Sequence, residues 1–112
     1  MRRLWFLLAL TACSKGPRAD LPYIAQARSL GAEWALVNEL AAERKLTSSY
    51  VKTMRESVRE QLETASKGLT RPDSRYGEEI RTLLQEPDAA APEELRAHVV
   101  VLKQIEDELE SA

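Results

Sequence analysis

His98 and Glu94 are the first residues to weigh for chemistry. They stand four apart, so on a helix they share one face. That spacing can offer an imidazole nitrogen and a carboxylate oxygen to one divalent metal, but a zinc-type site needs three or four ligands and no further one can be named. The ordinary alternative is a solvent-touching histidine paired with its neighbouring acid. Glu78-Glu79 and Glu93-Glu94 are adjacent acids. Neighbours on a helix point about 100° apart, so neither pair supplies the facing carboxylates of general acid–base catalysis, and both read as first-turn charges. Lys52, Arg55 and Arg59 form a basic line interleaved with Glu56, Glu60 and Glu63. The i,i+4 pairs Lys52–Glu56 and Arg59–Glu63 make it a self-paired, solvated face; the sharper use is docking of an acidic partner. There is no nucleophile–base pair, no Gly-rich phosphate loop and no Cys/His cluster. No catalytic residue, metal ligand, cofactor or small-molecule substrate is therefore assigned.

The remaining reactive group is Cys13, the one cysteine of the chain. It follows a basic start, Met1-Arg2-Arg3, and an apolar run from Leu4 to Leu10, and it closes the sequence Leu10-Thr11-Ala12-Cys13. Charge first and a short apolar middle next are the parts of a secretory signal. Seven residues of helix cover roughly 10 Å against a hydrocarbon core of about 30 Å, so the run is too short to span a bilayer. Ordinary signal cleavage after Ala12 would put Leu10 where a small residue is preferred. Leu10 to Cys13 resembles instead the lipobox of bacterial lipoproteins: Leu, a small residue, Ala or Gly, then Cys. The resemblance implies a diacylglyceryl group on the Cys13 sulfur, cleavage between Ala12 and Cys13 and, in many bacteria, acylation of the new amino group. Two or more acyl chains anchor a protein stably, at about 0.8 kcal/mol per buried CH2. Ser14 stands where an Asp usually retains Gram-negative lipoproteins at the inner membrane, so the resemblance implies the outer membrane, facing the periplasm. The competing reading is a cytosolic cysteine buried behind an apolar N-terminal helix. Some small helical lipoproteins are joined to peptidoglycan through a terminal lysine; here the last residues are Glu110-Ser111-Ala112, and that role is not expected.

The chain has 112 residues, 16 Lys+Arg against 18 Asp+Glu, and a formal net charge of −2. Loss of Arg2 and Arg3 with residues 1–12 makes the mature chain more acidic. An acidic domain gains nothing from a polyanion, so nucleic acid is disfavoured as a partner. With Cys13 given to lipid there is no internal disulfide, and packing alone must hold the domain. Ala, Leu, Glu and Arg dominate and β-branched runs are short, which predicts an all-α fold.

Residues 13–19, with Gly16 and Pro17, read as a flexible tether, and residues 20–112 as one helical domain. Lys15 and Arg18 lie near the lipid headgroups, where anionic lipid can attract them. Asp20 is the expected N-cap of a first helix over about 21–45, with Ala27, Leu30, Trp34, Val37 and Ala41 as its apolar stripe. Gly31 within it marks either a close approach or a break, while Arg44 and Lys45 suit its C-terminal end. Thr47 caps a second helix to about Lys67, with Leu46 and Val51 spaced as a hydrophobic staple and Gly68 as its stop. Its stripe is Val51, Met54, Val58, Leu62 and Ala65. Folded back on the first, five rows match: Ala27 with Ala65, Leu30 with Leu62, Trp34 with Val58, Val37 with Met54, and Ala41 with Val51. This predicts an antiparallel helical hairpin.

Asp73 or Ser74 caps a short third helix ending before Pro87, with Tyr76, Ile80, Leu83 and Leu84 apolar. Pro92 opens a fourth, with Leu95, Val99, Leu102, Ile105 and Leu109 as its stripe. Val100 and Val101 widen that stripe, which predicts contact with two neighbours. Helices 3 and 4 are expected to cover Trp34 and the Leu36/Leu40 side, giving a small four-helix arrangement. The alternative is an open hairpin pair whose apolar groove another protein closes. Tyr50 is expected to pack in the core or its rim, and Asn38 either to fix helix register or to lie at the stripe's edge. The resulting expectation is a lipid-anchored, non-catalytic interaction or assembly factor of the bacterial envelope, with the membrane and an envelope protein as partners. The alternatives are a metal-binding protein or enzyme centred on His98, and a membrane-perturbing lysis or toxin-related lipoprotein.

Overall fold

The computed structural model describes residues 16–112, and the lipobox with Cys13 lies outside them. Among the described residues four α-helices form: α1 Leu21–Ala42, α2 Ser48–Gly68, α3 Arg75–Leu84 and α4 Pro92–Ser111. No strand occurs among the described residues. The fold is all-α, and no described helix is long and apolar enough to cross a membrane.

Local chemistry sets most of the boundaries. Thr47 Oγ1 accepts the Tyr50 N–H at 3.2 Å and starts α2. Ser74, rather than Asp73, does the same for α3 by accepting from the Gly77 N–H at 3.1 Å. Pro92 stands in the first turn of α4, ahead of Glu93 and Glu94. α1 ends at Ala42, three residues short of expectation, in a Schellman arrangement. There the Lys45 N–H reaches the Leu40 carbonyl at 2.9 Å and the Arg44 N–H reaches Ala41 at 3.0 Å. Arg44 adopts the left-handed φ of 61° that this turn demands.

α1 runs unbroken through Gly31, so the expected alternative of a break there is not taken. A Cβ on Gly31 would lie 2.9 Å from Val99 Cγ2 and 3.3 Å from Leu83 Cδ2, so the glycine lets α3 and α4 close on α1. Gly68 does not stop α2 through left-handed backbone; it is the last helical residue, and the Tyr23 ring packs where its Cβ would be, 2.7 Å away.

α1 is the central helix and touches all three others. The expected α1/α2 pair forms, and Ala27, Leu30, Trp34, Val37, Val51, Val58, Leu62 and Ala65 are buried along it. Ala41 and Met54 are only half-buried, because the rows open toward the tip. The larger interface of α1 is with α4, which runs antiparallel to it. Arg18 donates to the Leu109 carbonyl, Arg28 pairs with Glu106 at 2.7 Å and Arg96 with Glu39 at 2.6 Å, marking the register from one end to the other. One core joins Ile24, Trp34, Leu62, Ile80, Leu83, Leu95 and Leu102.

Three expectations about the surface need correction. Leu36 stays half exposed, since α3 and α4 pack on the other sides of α1, and Val100 likewise points outward from α4. Tyr50 is half exposed at the start of α2, not packed. Pro17–Ala19, read from the sequence as part of a flexible tether, belong with Asp20 to a turn of 3-10 helix, and Arg18 donates to the Leu109 and Ala112 carbonyls at 3.0 and 3.2 Å.

Candidate functional site

Three polar constellations sit on this frame. The first is Asp20, which stands at the expected N-cap position of α1 but makes no side-chain cap bond there. Its carboxylate is fully buried and accepts from Thr70 N at 2.8 Å, Arg71 N at 3.1 Å and Tyr76 Oη at 2.6 Å. It therefore ties the start of α1 to the linker after α2 and to α3. Burial alone would raise the Asp20 pKa; the hydrogen bonds from Thr70, Tyr76 and Arg71 outweigh it and hold the carboxyl below its ordinary range. Burial and the same Asp20 bond push the Tyr76 hydroxyl up.

The second is His98. Its expected partner, Glu94, is exposed and makes no bond to it. Instead Nδ1 lies 2.6 Å from Glu79 Oε2 and Nε2 lies 2.7 Å from Glu86 Oε2. Glu79, expected as a first-turn charge, is thus half-buried against the ring, while Glu78 pairs with Arg81 at 2.8 Å. The two ring nitrogens diverge, so the two carboxylates lie on different edges of the ring and cannot meet at one ion with it. Burial lowers the His98 pKa, but the bonds to Glu86 and Glu79 raise it further, leaving it above the ordinary value. The charged ring then donates to both acids and clasps α3, the following connector and α4. Among the described residues, no three His, Cys, Asp or Glu side chains are grouped to hold a metal.

The third is a clamp on the connector between α3 and α4. Trp34 Nε1 donates to the Asp88 carbonyl at 3.0 Å, and Asn38 Nδ2 donates to Asp88 O and Ala90 O at 3.0 and 2.8 Å. Asn38 Oδ1 accepts from Arg55 Nε at 2.9 Å. Asn38, expected at the stripe, is buried and fixes the register of α1 against both α2 and the connector. Arg59 Nε bonds Asp88 Oδ1 at 2.7 Å, its other nitrogens reach Leu84 O and Glu86 O, and its guanidinium lies 4.9 Å from the Trp34 ring centroid. The self-paired basic face is therefore overturned: Arg59 takes Asp88 rather than Glu63, because the end of α3 presents free carbonyls beside it. Lys52 and Glu56 do not pair either, and no ion pair among the described residues involves Lys52, Arg55 or Arg44.

Those three cations, together with Arg59, border an open groove of roughly 460 Å³ at the hairpin tip. Ala41, Leu46 and Val51 give it apolar surface, and Glu56 and Asp88 are its carboxylates. Sequence reasoning had Lys52, Arg55 and Arg59 as one line. It missed the split, in which Arg59 is tied to the end of α3 and Asp88, Arg55 to Asn38, and Lys52 and Arg44 line the groove without an ion pair. The signal available was that α3 is too short to reach the tip.

No protein-family model, curated protein or solved structure matches this chain.

Proposed function

We propose that this chain is a lipid-anchored, non-catalytic interaction protein of the bacterial envelope, held to the outer membrane through Cys13 and facing the periplasm. The observation that carries the reading is the order of Arg2-Arg3, the apolar run Leu4–Leu10 and Leu10-Thr11-Ala12-Cys13. The fold is consistent with it. Among the described residues helical structure begins at Pro17, and the start of α1 lies beside the end of α4; on this reading that end of the bundle is the one that faces the bilayer. The interior acids and the histidine are used to join helices, which supports a rigid scaffold rather than a reaction centre.

Membrane fractionation with in-cell crosslinking tests it, comparing wild type with Cys13→Ala. The expected result is a membrane-bound wild type crosslinked to envelope proteins and a Cys13→Ala chain that loses both. Equal, soluble distribution of the two chains would overturn it.

A further inference from the structure

The tip groove has a feature that the fold does not need. Arg44 sits at φ 61°, a backbone position that glycine fills without strain and that costs other residues on the order of 1 kcal/mol. An arginine stands there instead, and it lines the groove together with Lys52 and Arg55. The groove exists because α3 stops at Leu84, where Arg59 closes its end. Beyond Arg59, α2 continues to Ser48 for about 16 Å at 1.5 Å per residue, with α1 as its main neighbour. A longer third helix would lie along this stretch.

We infer that the tip groove docks an acidic amphipathic helix of a partner protein, its apolar side on the half-buried Ala41 and Leu46 above the buried Val51 and its carboxylates toward Arg44, Lys52 and Arg55. Charge complementarity selects the acidic partner: four cations and two carboxylates line the groove, and once Arg59 is paired with Asp88, Arg44, Lys52 and Arg55 stand against Glu56 alone. An amphipathic helix fits because the apolar floor is a helix-packing surface left without its fourth member. Tyr50, half exposed at the start of α2, is placed to add an aromatic contact at the rim. The tip lies a helix length, about 33 Å for the 22 residues of α1, from the end of the bundle that follows Cys13 in the chain. This inference rests on the reading of the chain as an interaction protein.

The test uses the full chain in a zwitterionic detergent and, as probe, a short labelled helical peptide of glutamates and leucines. Fluorescence anisotropy should show saturable binding, and backbone NMR shifts should change at residues 41, 44, 46, 51, 52 and 55. The Arg44→Glu/Lys52→Glu double variant should weaken binding at least about tenfold without unfolding, because both side chains are exposed. Arg44→Gly should raise the Tm while weakening binding several-fold, a divergence that a purely structural Arg44 would not give. The inference is overturned if the peptide does not bind, if a glutamine-for-glutamate peptide binds equally, or if the double variant binds as well as wild type. It is overturned too if phosphatidylglycerol vesicles, and not the peptide, shift the groove residues. Failure here and failure of the anchor are separable: lipid on Cys13 is read by mass and does not depend on the groove.

Discussion

Asp20 carries a large local share of stability, because three donors from distant parts of the chain converge on one buried carboxylate. Asp20→Ala strands two backbone N–H groups and a tyrosine hydroxyl, and should cost about 3 kcal/mol in urea unfolding. Tyr76→Phe removes one donor and should cost about 1.5 kcal/mol. The Asp20 pKa is lowered on folding, so its contribution is present above the unfolded value near pH 3.9 and is lost as pH falls through the folded value. Asp20→Asn should therefore flatten the acid limb of the stability profile. His98 works in the opposite direction. Its folded pKa is raised, so its contribution is complete below about pH 6.5 and is lost as pH rises through the folded value. Thermal unfolding should show the wild-type Tm falling over that rise, and His98→Gln should remove that dependence. A His98→Gln profile that parallels wild type would show that the contacts with Glu79 and Glu86 do not govern the titration.

At the scale of elements, the sequence was most legible where a boundary depends on a few neighbouring residues. Thr47 and the Pro92-Glu93-Glu94 run mark their helix starts by local hydrogen bonding and charge, and the structure places α2 and α4 there. The stripe of α1 was legible because a period between three and four brings Ala27, Leu30, Trp34 and Val37 to one side, and all four are buried. The polar contacts were not legible. Asp20 meets Tyr76 across 56 positions and His98 meets Glu79 across 19, so only the packing of whole helices brings them together. Local spacing favoured Glu94 for His98 and Glu63 for Arg59; tertiary placement of α3 overrode both. Gly31 tests that packing. Alanine there gains about 1 kcal/mol of helix propensity, but its methyl would sit 2.9 Å from Val99 Cγ2. Overpacking of this kind costs about 1–3 kcal/mol, so Gly31→Ala should lower stability, and Gly31→Ala/Val99→Ala should recover part of the loss. A more stable single variant would mean that α1 and α4 are less closely packed than described.

The molecule as a whole has two unlike ends. At one, Arg18 joins the first turn to the last carbonyls of α4, and Asp20 locks α1 to α3. At the other, the hairpin tip extends past α3 with its cations and apolar floor uncovered. The bundle holds these two ends a helix length apart, which suits the proposed role of an anchored interaction protein. The tether itself is the part on which that reading depends. Intact-mass measurement of the native protein from membranes tests it most directly. The account predicts a chain that begins at Cys13 and carries a diacylglyceryl group on its sulfur. A chain that begins at Met1 with a free thiol would contradict it.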